Sequence, residues 1–298
     1  MDSPLIKRSL FILNPYAGIL PVKLIISKEL QRRKHDLATF KSLSIDESGS
    51  HIKQSFDKYD TFIAAGGDGT VRSVASELVG TGKVLGVLPM GSGNGFAREF
   101  GFRPNIPLLL RDIKRAETLE VDVIEINDQL CLNVAGIGLD SFVAHSFDKL
   151  KTRGFWSYVR VTIRNFFHLK PIKITLVLEN ETRTEELFFL SVANTRQFGN
   201  NAYIAPCAKP NDGFIDIVLV KPFPKILSVY FIYKLFRGTL ENSKYVEYLK
   251  TDKPFKILTD ETRFHIDGEA ITFNGEVKVR IKRNALTVLR TRKNKISD

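Results

Sequence analysis

Thr61-Phe62-Ile63-Ala64-Ala65 followed by Gly66-Gly67-Asp68-Gly69-Thr70 decides the fold of this chain. Thr61 to Ala65 is short, apolar and ends in glycine, and predicts a buried strand. Val71 to Val79 predicts a helix. A strand that ends in glycines and opens a helix can hold phosphate. Glycine lets the backbone approach an anion without a Cβ in the way, and the helix start offers unpaired N–H groups and the positive dipole end. Asp68 puts a carboxylate into this anion-friendly turn. A negative charge beside phosphates is reasonable when a divalent cation bridges them, so the turn points to a nucleotide with magnesium and to phosphoryl transfer.

Two more turns have the same design. Ser9-Leu10-Phe11-Ile12-Leu13 predicts a strand running into Asn14-Pro15-Tyr16-Ala17-Gly18. Val84-Leu85-Gly86-Val87-Leu88 predicts another, running into Pro89-Met90-Gly91-Ser92-Gly93-Asn94-Gly95-Phe96-Ala97-Arg98. Parallel strands of one sheet end on one edge, and open α/β sheets bind ligands there. The turns match neither the P-loop nor the dinucleotide fingerprint, and the protein-kinase motif set, His-Glu-x-x-His and Gly-x-Ser-x-Gly are absent.

Up to Glu125 strands alternate with helical stretches at Val22 to Lys34, Val71 to Val79 and Pro107 to Arg115. This predicts an α/β domain over residues 1–125 with a mainly parallel sheet. Afterwards short β-type runs follow one another: Leu130 to Val134, Ile172 to Leu178, Leu187 to Ala193, Phe214 to Val220, Phe255 to Leu258, Val277 to Ile281 and Leu286 to Leu289. They predict a β-rich sandwich over residues 126–285.

The formal charge is +11 and the pI about 9.5, which points to anionic partners such as ATP or an anionic membrane. Nucleic acid is disfavoured because no reader motif accompanies the charge. The two cysteines, Cys131 and Cys207, form no disulfide framework and suit a reducing compartment. The first residues lack the basic and apolar regions of a secretory signal, and no run approaches the roughly 20 apolar residues of a membrane span. Ile226 to Phe236 reads as a packed or membrane-facing helix. Lys149 to Lys173, read as a helix, gathers Lys149, Arg153, Arg160 and Arg164 beside Phe155, Val159 and Phe166. That suits an anionic membrane interface, or equally an exposed helix packing its aromatics.

The chain resembles the diacylglycerol-kinase-type lipid kinases, which include bacterial diacylglycerol kinases, YegS-like enzymes, and sphingosine and ceramide kinases. The resemblance rests on the three turns, on Asp122, on Asn133 with Gly136-Ile137-Gly138-Leu139-Asp140, on Lys209 to Asp216, and on Asp267-Gly268-Glu269. It implies a first domain similar to NAD kinase and phosphofructokinase, a β-sandwich second domain, and return of residues 286–298 to the first. It implies that Asn14, Pro15, Gly18, Gly66, Gly67, Asp68, Gly69, Thr70, Gly91, Ser92, Gly93 and Asn94 hold ATP. Asp68 would organise Mg2+ with help from Asp122, and Glu269 would be the general base. Lys209, Asp212 and Phe214 would form a second metal site. Each has a plainer alternative: Asp68 as a helix N-cap, Asp267-Gly268 as a hairpin turn, Lys209 to Gly213 as a surface turn. His265 reads as structural.

Two departures from the family pattern stand out. Gly95 replaces an Asp common in bacterial members, and Arg72 lies where the family usually has Asn. The implied function is an ATP- and Mg2+-dependent kinase acting on a hydroxyl of a membrane lipid. The expected location is cytoplasmic with peripheral membrane association, and a homodimer is compatible with the reading. The alternatives are a soluble NAD-kinase-like or sugar kinase, and a non-catalytic lipid- or nucleotide-binding protein.

Overall fold

The computed structural model of the protein describes residues 4–17, 20–33, 37–42, 44–138, 170–294 and 296. The chain divides into two compact units, Met1–Val121 with Asn284–Asp298, and Asp122–Arg283. The boundary expected after Glu125 falls inside a continuous strand, β5 (Thr118–Ile126).

In the first unit, β1 (Ser9–Leu13), β2 (Ala38–Lys41), β3 (Thr61–Gly66) and β4 (Val84–Pro89) form a parallel sheet in the order β2-β1-β3-β4. Ser9 pairs with Thr61 and Thr61 with Val84, so β1, β3 and β4 run level and end on one edge. β3 is buried almost throughout, as its apolar run demands of a strand covered on both faces. The helices of this unit are α1 (Pro4–Lys7), α2 (Leu20–Arg32), α3 (Ile45–Gln54), α4 (Asp68–Leu78), α5 (Gly95–Glu99) and α6 (Ile106–Arg115) among the described residues. Their starts are written locally: the Glu47 N–H donates to Ser44 Oγ, and the Leu108 N–H to Asn105 Oδ1. α4 begins at Asp68, three residues before the first apolar residue that announces it. α4 buries Val71, Val74, Ala75 and Leu78, spaced for one helix face.

The C-terminal strand was expected as two, Val277 to Ile281 and Leu286 to Leu289. It is one, β16 (Val277–Leu289). Its start pairs with β13 (Phe255–Leu258) in the second unit, while Thr287 and Val288 pair with Val84 and Leu85 of the first. The exposed charges of Lys282 and Arg283 do not end a strand whose backbone stays paired.

The second unit contains a six-stranded antiparallel sheet. Its order is β12 (Val246–Thr251), β11 (Ile215–Val220), β10 (Phe189–Ala193), β7 (Val134–Gly138), β14 (Arg263–Ile266) and β15 (Glu269–Thr272). Against it lie β8 (Ile172–Val177), β9 (Thr182–Leu187) and β13, also antiparallel. Alternation assigns the faces. Ile215, Ile217 and Leu219 of β11 enter the sandwich core with Ile174, Leu176, Phe255 and Ile257. Val218 and Val220 point the other way, into a second cluster with Phe223, Phe231 and Leu235. Phe231 and Leu235 come from α7 (Ser228–Arg237), which therefore covers the outer face of this sheet.

Two expectations need correcting here. Leu130 to Val134 is not one strand but the end of β6 (Gln129–Cys131) and the start of β7, with Leu132 and Asn133 between them. β9, Thr-Arg-Thr-Glu-Glu-Leu, gave no apolar pattern because only Leu187 is buried. The basic helix read from Lys149 lies, over 149–169, outside the described residues. It does not extend to Lys173, because β8 begins at Ile172.

Candidate active site

Three turns at the carboxyl edge of the parallel sheet are tied to one another. The Asn14 side-chain Nδ2 donates to Thr70 Oγ1 at 3.0 Å, joining the β1 turn to the β3 turn. The Asn14 N–H donates to Ala65 O, and Asn14 Oδ1 accepts from the Tyr16 N–H, so Asn14 shapes its own turn as well. The Met90 N–H donates to Gly66 O, the Phe96 N–H donates to Asp68 Oδ1 at 3.3 Å, and together they join the β3 turn to the β4 turn. Asn94 Nδ2 and Arg98 Nε close the β4 turn on the carbonyls of Gly91 and Gly93. Pro15 and Ser92 are half-buried in these turns. Gly18 lies outside the described residues.

The glycines here are a matter of space. A Cβ on Gly91 would lie 2.8 Å from the Gly67 Cα, and one on Gly66 would strike the Thr70 side chain at 2.3 Å. A Cβ on Gly93 would come within 3.3 Å of Asp68 Oδ2. The result is a bare backbone cradle with the Asp68 carboxylate at its wall and Asn94 Oδ1 buried without a hydrogen bond. α4 is capped by Gly67, so Asp68 is not the N-cap but the first helical residue. Its charge there faces the positive end of the helix. A backbone cradle at a helix start with one carboxylate suits a polyphosphate carrying a divalent cation. Gly69 is within the first helical turn, and Gly95 opens α5 (Gly95–Glu99).

The remaining candidates lie in the second unit. Asp267 and Gly268 form a two-residue hairpin between β14 and β15 with φ of 52° and 83°, the left-handed pair that favours Asp-Gly. Glu269, just after the turn, is exposed. The Asp267 carboxylate is buried instead. Oδ1 accepts the Asn133 N–H at 2.7 Å, Oδ2 accepts the Leu132 N–H at 3.0 Å, and the Asp267 N–H donates to Val134 O. That anchorage is why the chain leaves strand geometry at 132–133. His265 is buried with its ring edge against Phe198, which agrees with a structural role.

Asp122 is 1% exposed. Its Oδ2 accepts the Gly213 N–H at 2.7 Å and its own N–H donates to Pro210 O, so it holds the loop that carries the expected second metal site. On that loop Lys209 is exposed, and Asp212 Oδ1 accepts the Phe214 N–H. Asp212 Oδ2 receives Lys250 Nζ at 2.7 Å, and the same ammonium lies 3.9 Å from Asp216 and over the Phe214 ring. Burial, above all, pushes the Asp216 carboxyl up to about 6; Lys250 draws it down and Asp212 raises it. An ammonium thus already pairs with Asp212, so a divalent ion held by Asp212 with the carbonyls of Lys209 and Phe214 would have to displace Lys250 from that carboxylate. No sequence signal singled out Lys250, because it sits on β12 and meets Asp212 only through the sheet. Asn194 was equally silent: its Nδ2 donates to the carbonyls of Asp122 and Leu132.

Among the described residues no helix is long and apolar enough to cross a membrane. A family model described as the diacylglycerol kinase catalytic domain matches residues 8–126. A second, described as the YegS C-terminal NAD kinase beta sandwich-like domain, matches residues 133–290. A Bacillus subtilis protein named diacylglycerol kinase is 25% identical over 272 residues, spanning 88% of this chain and 90% of that protein. A Bacillus anthracis structure described as a diacylglycerol kinase superposes with a TM-score of 0.71 at 22% identity, over 96% of this chain and 97% of that one. An NAD kinase from Archaeoglobus fulgidus, solved with ATP, shares the fold at a TM-score of 0.55 and 13% identity, over 96% of this chain and 95% of that one.

Proposed function

The chain belongs to the diacylglycerol-kinase and YegS-type family of lipid kinases, enzymes that transfer phosphate to an alcohol, and we propose that it moves the γ-phosphate of ATP to a hydroxyl of a membrane lipid such as diacylglycerol or a sphingoid base. The observation that carries this reading is the linked cradle, in which Asn14 Nδ2 meets Thr70 Oγ1 at 3.0 Å and Gly91 closes on Gly67.

The cradle binds and orients the polyphosphate. Backbone N–H groups of Gly67, Gly69 and the Gly91 to Asn94 turn, with the Thr70 hydroxyl, are suited to donate to phosphate oxygens, and the N-terminal end of α4 favours that charge. Asp68 would hold Mg2+ at the same helix start. Magnesium, when bound, neutralises charge on the phosphate oxygens as transfer proceeds. Glu269 takes the proton from the attacking lipid hydroxyl, a task that suits its exposed position after a rigid hairpin. Asp267 positions that hairpin and is spent on the 132–133 amides. The enzyme works in the cytoplasm at the membrane surface.

The test is transfer of labelled γ-phosphate from ATP with Mg2+ to a lipid panel in anionic vesicles, beside Asp68→Ala and Glu269→Ala. The expected result is transfer to one lipid class, lost in both variants while ATP binding persists in Glu269→Ala. Transfer to NAD or a sugar with none to any lipid would replace the reading with a soluble kinase. ATP binding with no acceptor at all would favour a non-catalytic protein.

A further inference from the structure

Residues 225–237 present two faces. Ser228, Phe231 and Leu235 are buried against the outer face of the six-stranded sheet, with Phe231 stacked on Phe223. Ile226, Val229, Tyr230 and Tyr233 are 84%, 65%, 56% and 57% exposed. Their spacing of i, i+3, i+4 and i+7 puts them on one stripe. Of the exposed large hydrophobic residues among the described ones, these four fall within eight positions, while the others are scattered. Scattered apolar residues need no explanation, but a contiguous stripe on the far side of an anchored helix does.

Within residues 225–237 the charge has one sign: Lys225, Lys234 and Arg237 are there and no Asp or Glu is. Lys221 just before is paired with Glu185 and Glu247, and Glu241 follows on the next turn. Lys234 Nζ sits 5.1 Å from the Tyr230 ring centroid, and the Tyr230 and Tyr233 rings stack at 6.4 Å. Tyrosine pairs an apolar ring with a polar tip, which suits the boundary between headgroups and acyl chains. Lysines and arginine beside it suit anionic headgroups. A second copy of the chain fits poorly, because a two-fold contact would set the same cations against each other.

We infer that the outer face of residues 225–237, with Ile226, Val229, Tyr230 and Tyr233 as its apolar stripe and Lys225, Lys234 and Arg237 as its cationic rim, docks the protein on an anionic lipid bilayer. The inference rests on the lipid-kinase reading for its purpose, and it names a surface separate from the phosphate cradle. The inner face is held by Phe231 and Leu235, so the stripe is presented on a fixed support and enters the interface without unfolding.

The experiment is co-sedimentation of the full chain with phosphatidylglycerol/phosphatidylcholine vesicles and with phosphatidylcholine alone, for wild type and for Ile226→Ser/Tyr230→Ser/Tyr233→Ser. Binding is expected to need the anionic lipid, to weaken with salt, and to fall at least about tenfold in the triple variant. The unfolding midpoint and phosphorylation of a monomerically dispersed short-chain diacylglycerol should stay unchanged. As a second probe, Ile226→Trp in a Trp156→Phe background should shift its emission to the blue when anionic vesicles are added. Equal binding by wild type and triple variant, or no emission shift, overturns the proposal. So does a wild-type dimer that the triple variant converts to monomer, since the stripe would then be covered by a second copy. Vesicle binding lost in the triple variant, with no lipid phosphorylated by wild type, would uphold the docking face and sink the kinase reading. Short-chain phosphorylation with vesicle binding unaffected by the variant would do the reverse.

Discussion

The backbone N–H of Asn133 donates to Asp267 Oδ1 at 2.7 Å, and its neighbour Leu132 donates to the other oxygen at 3.0 Å. One carboxylate thus ties the β14–β15 hairpin to the break between β6 and β7. Hydrogen bonds to a charged group contribute about 1.5–3 kcal/mol each. Asp267→Ala is expected to lower the unfolding midpoint of the protein, by about 2–4 °C for each kcal/mol lost, and to reduce turnover by displacing Glu269. Glu269→Ala removes an exposed side chain and should abolish turnover with the midpoint unchanged. Thermal unfolding beside steady-state kinetics separates the two; equal midpoints would deny Asp267 its anchoring role.

Gly67 and Gly91 face each other across the cradle but are not equivalent. A Cβ on Gly91 would come within 2.8 Å of the Gly67 Cα, whereas one on Gly67 meets the Gly91 Cα at an ordinary 3.5 Å. Gly91→Ala should therefore cost stability, on the order of 1–3 kcal/mol as overpacking does. Gly67→Ala should fold normally and lose nucleotide affinity alone. ATP titration and denaturant unfolding of both variants would check this.

Thr70 receives Asn14 Nδ2 and leans over Gly66. Thr70→Val keeps the shape and removes the hydroxyl, leaving the Asn14 amide short of a partner and the phosphate short of a donor. The expected outcome is a KM for ATP raised about tenfold, equivalent to about 1.4 kcal/mol, with Thr70→Ser close to wild type. An unchanged KM would place the hydroxyl outside the phosphate site.

Burial pushes the Asp216 carboxyl from 3.8 up to about 6. Between those values the folded protein keeps a proton that the unfolded chain releases, so this group's contribution falls as pH rises through that window. Asp216→Asn should flatten the dependence of the midpoint between pH 4 and 6 and raise it above pH 6. Lys250→Ala should move the window upward, because Lys250 holds the carboxyl down from where burial alone would put it. Midpoints measured from pH 4 to 8 test both; a slope identical in all three proteins would assign it to other groups.

The glycine cradle was legible because its signals are local. Gly66 to Thr70 and Gly91 to Arg98 write turns through backbone freedom and side-chain size, and the apolar runs before them read as strands whatever they pair with. The same locality explains the errors. Lys282 and Arg283 look like a strand end, yet β16 continues because the pairing lies on neighbouring strands. Leu130 to Val134 looks like one strand, yet the Asp267 carboxylate takes two of its amides.

By itself the sequence determined the two-part architecture and the glycine cradle with Asp68 at its helix start, since these follow from periodicity and turn chemistry within a few residues. Only the tertiary structure decided that the Asp267 carboxylate takes the amides of Leu132 and Asn133, that Lys250 pairs with Asp212, and that Ile226, Val229, Tyr230 and Tyr233 stay outside while Phe231 and Leu235 go in. Those outcomes depend on partners far away in the chain. Burial and pairing are set by what the fold brings to a side chain, not by its neighbours in sequence.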